Sequence, residues 1–368
     1  MLDEKVLKSE EIAIYKLRSL YGKYGYLPFK MSKFEEYDLY VKNKDFLISD
    51  SVITFNDTNG KLLALKPDVT LSIIKNGKDE NGVKQKVYYN ENVYRISGST
   101  RQFKEIMQTG IECIGDVDIF DTFEVLSLAL KSLNTVSSDF VLDISHLGVL
   151  GAMLDTVCIS EDFRCEIMAS IKQKNAHEID GICEKYQIDA SKAQLIKAFV
   201  EIYGSPSAVI SRLKELSVSY EYSLAVAELE EICSLIAKTE FKDKIKLDFS
   251  LVNDMNYYNG IVFNGFINGV YECILFGGRY DKLLKRMGRK GGAIGFALYL
   301  DLLENINSQD KEYDVDALIV YSNDISPEEV LMAVDEQIKM GNTVSAQKAI
   351  PEKLRYKTLT YLTKEGKQ

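Results

Sequence analysis

The chain has 368 residues, of which 46% are hydrophobic and 27% charged, and its formal net charge is -10. This length corresponds to about two domains of roughly 150 residues each, and the composition supports a substantial hydrophobic core. The acidic balance disfavours a surface that grips phosphate backbones, although one local basic face is compatible with it, so small molecules and protein partners are favoured.

The first third of the chain predicts a helix, a strand and then a strand that turns into a helix. Ser9 opens the first helix, because two glutamates follow it where the helix dipole favours carboxylates. Apolar residues recur at helical spacing up to Gly25, which is a natural stop. A strand is expected around 26–30. The run LLALKPDVT reads as a strand ended by Pro67, with a helix beginning near Asp68.

The middle of the chain predicts a sheet that is interrupted by helices. KVYYNENVYRI and QTGIECIG are neighbouring strands joined by the polar loop SGSTRQFKE, followed by the helix IFDTFEVLSLALKSL and the strand DFVLDIS. From about His146 to Lys242 the pattern is helical. Strands resume at KIKLDFS, GIVFNGF and VYECILF and close with GGAIGFALYLDLLE. The expected fold class is α+β, with one antiparallel sheet assembled from distant segments.

The last part of the chain, residues 313–368, predicts a small α/β module. A strand at 317–321 precedes a helix that opens at Pro327 and ends before Gly341. The strand TVSA, a short helix and the strand TLTYL follow. The expected domains are therefore a core over 1–304, with a helical insertion at about 146–242, and this C-terminal module.

Cysteine and histidine usage indicates the compartment and argues against a metal site. The six cysteines occur singly without a CxxC pair, and the histidines are His146 and His177. Scattered thiols suit a reducing compartment, and we expect neither a metal nor another cofactor. The start MLDEKVLKSEE is charged, unlike a secretory signal, and no run approaches the roughly 18 apolar residues of a membrane helix. We expect a cytoplasmic protein without membrane contact.

Two polar pairs are candidates for ligand binding. Asp68 and Thr70 lie at a strand–helix junction, where they could hold an ammonium group or simply cap the helix. Gln108 and Glu112 are four apart on a strand and so share one face of the sheet. A glutamate among apolar strand residues is costly unless paired. Its partner would be a cationic or imidazole ligand, or a structural Arg or Lys.

The stretch LVNDMNYYNGIVF contains two adjacent tyrosines. If the backbone is extended, Tyr257 and Tyr258 point to opposite faces, so at most one reaches a given pocket, and core packing is the alternative for either. In FGGRYD, Gly277 and Gly278 leave backbone room beside Tyr280. That room suits either close approach of a ligand or a tight turn.

Four stretches together resemble a class II aminoacyl-tRNA synthetase core of the histidyl type. They are LKPDVT, VYRISGSTRQFKEIMQTGIECIG, NYYNGIVF, and FGGRYDKLL with GGAIGFALYL, and the likeness covers about Ser9 to Glu304. It implies a class II sheet flanked by helices and a histidine pocket. The residues at histidine-contacting positions of the family are Asp68 (in place of the usual glutamate), Thr70, Gln108, Glu112, Tyr258 and Tyr280.

Two departures from the synthetase pattern argue against amino-acid activation. Activation joins a carboxylate to an α-phosphate, so cations must neutralise charge in the transition state. Of three arginines that serve this purpose in the synthetases, one matches Arg95, which remains and which we expect to bind phosphate or to be structural. The others match Asn253, which is neutral, and Leu302, for which apolar burial is the role expected. No residue is expected to be catalytic.

The sequence resembles instead the regulatory subunits of ATP phosphoribosyltransferase, which are synthetase-like but non-catalytic. The KPDVT form, in place of the synthetase RPEGT, favours this family. The resemblance implies a short-form catalytic subunit as partner, a homodimer within a hetero-octamer, and histidine as the feedback effector in the first step of histidine biosynthesis.

The tail is a departure, since typical members lack an anticodon-binding domain. Residues 313–368 look like a shortened remnant of one, and its acidic face argues against tRNA binding. The alternatives are an active histidyl-tRNA synthetase and a synthetase-like amino-acid sensor of another pathway.

Overall fold

The computed structural model describes residues 7–44, 47, 52–77, 83–96, 101–157, 160–251, 257–303, 312–363 and 366–367. The chain divides into two compact units, Met1–Ile306 and Asn307–Gln368. Within the described ranges, no helix is long and apolar enough to cross a membrane.

The helices and strands follow the predicted order closely. The helices are α1 (Ser9–Lys23), α2 (Tyr37–Lys42), α3 (Thr70–Asn76), α4 (Ile119–Val136), α5 (Leu147–Val157), α6 (Glu161–Lys172), α7 (Ala176–Lys185), α8 (Ala190–Val200), α9 (Pro206–Leu216), α10 (Tyr220–Ile236), α11 (Asp281–Arg286) and α12 (Pro327–Lys339). The strands are β1 (Leu27–Pro28), β2 (Phe34–Glu36), β3 (Thr54–Asn56), β4 (Leu62–Leu65), β5 (Gln85–Ile96), β6 (Phe103–Gly115), β7 (Phe140–His146), β8 (Tyr203–Gly204), β9 (Ile245–Asp248), β10 (Ile261–Ile267), β11 (Leu275–Arg279), β12 (Gly292–Tyr299), β13 (Val315–Tyr321), β14 (Val344–Gln347), β15 (Tyr356–Thr363) and β16 (Gly366–Lys367).

Among the described residues, nine strands form the central sheet of the first unit, in the order β1-β5-β6-β12-β11-β10-β7-β9-β8. Its middle is antiparallel, as predicted. The expectation of a wholly antiparallel sheet is wrong at two places, because β1 pairs with β5, and β7 with β9, in parallel. The chain between β7 and β9 is the helical stretch α5–α10, and a long crossover of this kind allows parallel pairing.

Helices α1 and α4 cover one face of this sheet and close the main core. Helix α4 begins with a reciprocal cap, because Asp118 accepts from the backbone of Asp121 and its own backbone N–H donates to the Asp121 carboxylate, both at 3.0 Å. The two helices meet where the hydroxyls of Tyr21 and Ser132 lie 3.0 Å apart, and both residues are buried. This packing covers one face of the middle strands with a continuous hydrophobic core.

Three local predictions are wrong. In VYECILF the strand begins only at Leu275, because the residues before it form a turn that leaves Tyr271 fully exposed. No short helix follows β14, since the chain forms turns up to β15. The helical stretch also contains the short strand β8, which pairs with β9 at the sheet edge.

The second unit is a small α/β module. Strand β13 pairs in parallel with β14 and β15, and β15 pairs antiparallel with β16. Helix α12 opens with a capping box, in which the Ser326 hydroxyl accepts from the Glu329 backbone at 3.2 Å and the Glu329 carboxylate accepts from the Ser326 backbone at 2.9 Å.

Candidate functional site

A cavity of about 430 Å³ lies between the central strands and the start of α3. This volume falls in the range of roughly 300–1,000 Å³ that is typical of small-molecule sites. Its lining residues are Leu47, Asp68, Val69, Thr70, Tyr89, Arg95, Gln108, Glu112, Lys172, Tyr257, Tyr258, Phe276, Tyr280, Gly295, Phe296, Ala297 and Tyr299. The structure therefore brings all six predicted histidine-site residues, and Arg95, to one cavity.

Glu112 lies on the cavity floor and is 2% exposed. Its Oε1 accepts from the Thr70 hydroxyl at 2.8 Å, and its Oε2 accepts from the Tyr280 hydroxyl. Gly295 faces it on β12, where a Cβ atom would lie 1.9 Å from Oε2, so a glycine is needed at this position. Burial raises the pKa of Glu112 to about 8, although the two hydroxyl donors oppose the shift. A pKa of about 8 favours the protonated form of this carboxyl at neutral pH.

Asp68 contacts the start of α3 and also borders the cavity. Its Oδ1 accepts from the backbone N–H of Leu71 at 2.8 Å, so it caps the start of α3, and it also lines the cavity. Burial raises its pKa, and the charge of Arg95 opposes that rise. Since Asp68 in turn raises the pKa of Glu112, the two carboxyls form one acidic centre.

Gln108 lies on the same face of β6 as Glu112, as the spacing predicts, and is 2% exposed. Its Nε2 has no hydrogen-bond partner among the described residues. A buried amide donor without a partner costs free energy, so the position suits a ligand that carries an acceptor.

The two adjacent tyrosines both line the cavity, so the expectation that at most one would reach it is wrong. The reason is local: Tyr257 lies in a turn and Gly260 in a bend, and strand β10 begins only at Ile261. The rings of Tyr257 and Tyr258 lie 4.5 Å apart, and Tyr257 packs on Tyr280 at 5.7 Å. Gly278 makes room for them, because a Cβ atom there would lie 2.7 Å from the Tyr258 ring.

Arg95 lines the cavity, but much of its hydrogen-bonding capacity is used within the protein. Its Nε donates to the carbonyl of Pro67 and its Nη1 to the Tyr299 hydroxyl, both at 2.7 Å. It is 7% exposed, and its guanidinium also lies over the Tyr299 ring. These contacts indicate a structural role in holding the α3 junction against β12.

At the other two positions where the synthetases carry an arginine, this chain has Asn253 and Leu302. Asn253 lies outside the described residues. Leu302 lies in a 3₁₀ turn, Asp301–Leu303, and it packs against the main core as predicted. It is absent from the cavity lining, so this position offers the cavity no charge.

Sequence reasoning missed several lining residues. Tyr89 and Tyr299 come from strands whose alternation indicated burial but not which cavity they border. Lys172 comes from α6 in the helical stretch, and no local signal in the sequence connects it with residues near Asp68. Only the course of the chain brings this lysine to the cavity.

The chemistry of the cavity suits a small zwitterion with a polar ring. It offers two carboxyls, an unpaired amide, tyrosine rings and two cationic side chains. Within the described ranges, no cluster of His, Cys, Asp and Glu could hold a metal ion. The arrangement can therefore bind an amino acid, and only Arg95 matches the cations that activation of one requires.

Comparison with known proteins identifies the family of this chain. The histidyl-tRNA synthetase family model matches residues 1–303. An ATP phosphoribosyltransferase regulatory subunit from Caldanaerobacter subterraneus is 30% identical over 78% of this chain and 75% of its own length. A histidine–tRNA ligase from Methanocaldococcus jannaschii is 28% identical over 98% of this chain and 86% of its own.

A solved structure shows the same fold. A chain of the ATP phosphoribosyl transferase (HisG:HisZ) complex from Thermotoga maritima superimposes with a TM-score of 0.63 at 21% identity. The superposition covers 79% of this chain and 97% of that one. The predicted class II synthetase-like fold is confirmed.

Proposed function

The chain belongs to the histidyl-tRNA synthetase family, in its branch of ATP phosphoribosyltransferase regulatory subunits, and from that premise we propose that it senses free histidine in the Glu112 cavity. It is a non-catalytic subunit of the ATP phosphoribosyltransferase complex, and its partner is the catalytic subunit. The complex catalyses the first step of histidine biosynthesis. The observation that carries the sensing proposal is the buried carboxyl of Glu112, which has polar partners and borders an amino-acid-sized cavity.

Histidine fits the polar groups of the cavity in one orientation. The Glu112 carboxylate accepts the ring N–H, helped by the Tyr258 hydroxyl, while Asp68 and Thr70 hold the ammonium. From the family resemblance, Gln108 would join Asp68 and Thr70 at the ammonium end of the ligand. Its unpaired Nε2 is a donor, so we assign it to the carboxylate of the ligand instead.

Reconstitution with a short-form catalytic subunit tests this function. We expect the catalytic subunit to turn over ATP and phosphoribosyl pyrophosphate only when this chain is present, and histidine to inhibit the pair. Inhibition requires that histidine bind the inactive state more tightly, and typical couplings of about 1–3 kcal/mol change activity several-fold to a hundredfold. Activity is followed by the rate of product formation. A catalytic subunit that neither gains activity nor changes its histidine response would refute the proposal.

We also propose that the first unit forms a homodimer through its N-terminal region, within a hetero-octamer with the catalytic subunit. The family resemblance places the stretch YGKYGYLPFK, with Tyr24, Tyr26 and Phe29, at this surface, but Tyr26 is buried within the chain and donates to Glu124 at 3.1 Å. Tyr15 and Leu27 are instead 65% and 67% exposed. We assign these two exposed apolar side chains to the proposed dimer contact.

Light scattering of the purified chain tests the dimer. We expect twice the chain mass at micromolar concentration, and a shift towards one chain mass in the variant Leu27→Asp. Leu224→Asp is a matched control. Leu224 is 54% exposed, but it lies on α10, outside the N-terminal region that is proposed to form the dimer. A wild-type chain that remains at 41.7 kDa would contradict this proposal.

We propose further that the C-terminal module does not bind tRNA. Its first strand and helix carry Asp316, Glu328 and Glu329, which would repel a phosphate backbone. The Methanocaldococcus relative, a ligase, aligns through this region, so an active synthetase is the alternative function.

A further inference from the structure

Lys172 is the cationic group that the helical stretch supplies to the cavity. It is the last residue of α6, is exposed, and lines the cavity together with residues of the central sheet. In the part of the chain that the structure describes, the cations of the lining are Lys172 and Arg95. The two differ in how free they are to bind a ligand.

The turn that follows α6 is fixed to the central sheet. Lys174 adopts a left-handed backbone conformation with φ 54°, and the backbone N–H of Asn175 donates to the Ser170 carbonyl at 2.9 Å. The Lys174 Nζ lies 2.7 Å from the carboxylate of Asp248 on β9 and 4.6 Å from the Tyr203 ring. Because Asp248 is 5% exposed, this ion pair anchors the turn and so positions Lys172 beside the cavity.

The nearby cations other than Lys172 have partners already. Arg95 donates to Pro67 and Tyr299, as described above. Lys66 is fully buried and pairs with Glu91 at 2.5 Å. Lys172 forms no ion pair or side-chain hydrogen bond within the described ranges. Among the described cations of the lining, Lys172 is thus the one that can meet a ligand without giving up an existing side-chain hydrogen bond or ion pair.

The ligand needs such a cation. A zwitterionic amino acid brings a carboxylate into a cavity that already contains Asp68 and Glu112, and a carboxylate away from water is costly unless it is paired. The unpaired amide of Gln108 provides one neutral donor. A lysine ammonium is a compact charge on a flexible stem, which suits a carboxylate near the cavity opening.

We propose that Lys172 binds the α-carboxylate of the amino acid held by Glu112, which makes the helical stretch part of the sensing site; this rests on the proposed function. Lys172 then selects α-amino acids over amines with the same ring. It also connects ligand occupancy to α6, a helix outside the central sheet. The position of α6 is thereby coupled to the presence of the ligand carboxylate.

Calorimetric titration with L-histidine and with histamine tests this role, because histamine keeps the ring and the ammonium but lacks the carboxylate. We expect the wild-type chain to bind histidine about tenfold more tightly than histamine, the loss expected for one charge-assisted hydrogen bond. In Lys172→Met, histidine affinity falls about tenfold and histamine affinity stays unchanged. Lys172→Arg keeps most of the preference. Lys238→Met, an exposed lysine after α10, changes neither affinity.

The outcomes separate the two proposals. If the wild-type chain and its complex bind no histidine, the proposed function itself fails. If histidine binds but Lys172→Met leaves its affinity unchanged, the role of Lys172 is refuted while the site stands. If Lys172→Met weakens histidine and histamine equally, the lysine acts on the fold of the cavity, and the carboxylate role is also refuted. Circular dichroism confirms that each variant is folded.

Discussion

The Glu112→Gln variant is expected to bind histidine at least tenfold more weakly than the wild-type chain and to lose histidine inhibition in the reconstituted complex. A hydrogen bond to a charged group contributes about 1.5–3 kcal/mol, and each 1.4 kcal/mol is a factor of ten in affinity. Glutamine keeps the shape of the side chain, and it can still accept from Tyr280, so the cavity itself is preserved. Calorimetry measures the affinity and a turnover assay the inhibition.

The same variant is expected to be more stable than the wild type without ligand. The folded state keeps the Glu112 proton up to a pKa of about 8, whereas the unfolded chain releases it near 4.5. The contribution of Glu112 to the free energy of unfolding therefore falls as pH rises from about 4.5 through 8. Glutamine does not titrate, so the variant gains on the order of 2 kcal/mol or more at pH 8. Denaturant unfolding at pH 5 and pH 8 measures the difference, which should be smaller at pH 5.

The pH dependence of histidine binding has a predicted shape. We expect the histidine ring and the Glu112 carboxyl to share one titratable proton in the complex. Above the Glu112 pKa of about 8, the free carboxyl is ionised and the free ring is neutral, so binding takes up a proton. Below the ring pKa of about 6.5 binding releases one. Histidine affinity is therefore greatest between these two pKa values and falls on both sides. In Glu112→Gln the fall in affinity above the Glu112 pKa is absent, because glutamine does not titrate.

A matched control lies on the same strand. Glu105 on β6 is exposed, with Asn92 and Tyr94 as its hydrogen-bond donors. Glu105→Gln should leave affinity, pH profile and inhibition unchanged. If Glu112→Gln binds histidine as tightly as the wild type, or if inhibition persists unaltered, Glu112 is not the sensing carboxylate.

Histidine-dependent ATP–pyrophosphate exchange is expected to remain at background in the purified chain. Adenylate formation needs cations around the α-phosphate, and each preorganised donor lost typically lowers the rate about 10²–10³-fold. Leu302 packs in the core away from the cavity, and Asn253 is neutral. Two such losses predict a rate about 10⁴-fold or more below that of an active synthetase.

The exchange assay uses saturating histidine and ATP, with an active histidyl-tRNA synthetase measured in parallel. Exchange that rises with protein concentration and requires histidine would establish the alternative function. The exchange result does not depend on whether the chain senses histidine, so it tests the non-catalytic assignment separately.

The order of helices and strands could be predicted from the sequence because it is set by local periodicity. The helical spacing before Gly25, the alternation in β5 and β6 and the proline between β4 and α3 each act within a few residues. Spacing on a single strand also placed Gln108 and Glu112 on one face, and both line the cavity. Errors arose where a turn replaced a regular element, as before Leu275.

The sequence by itself determined most of the strands, the polar pair Gln108 and Glu112 on β6 and the missing arginines, since each depends on residue identity and short-range geometry. Only the tertiary structure decided what faces the cavity. It buried Tyr26, and it brought Lys172 on α6 to the cavity, with an ion pair between Lys174 and Asp248 beside it. These outcomes depend on contacts between segments far apart in the chain. Periodicity within a segment reports which residues are buried, but not which distant partner buries them.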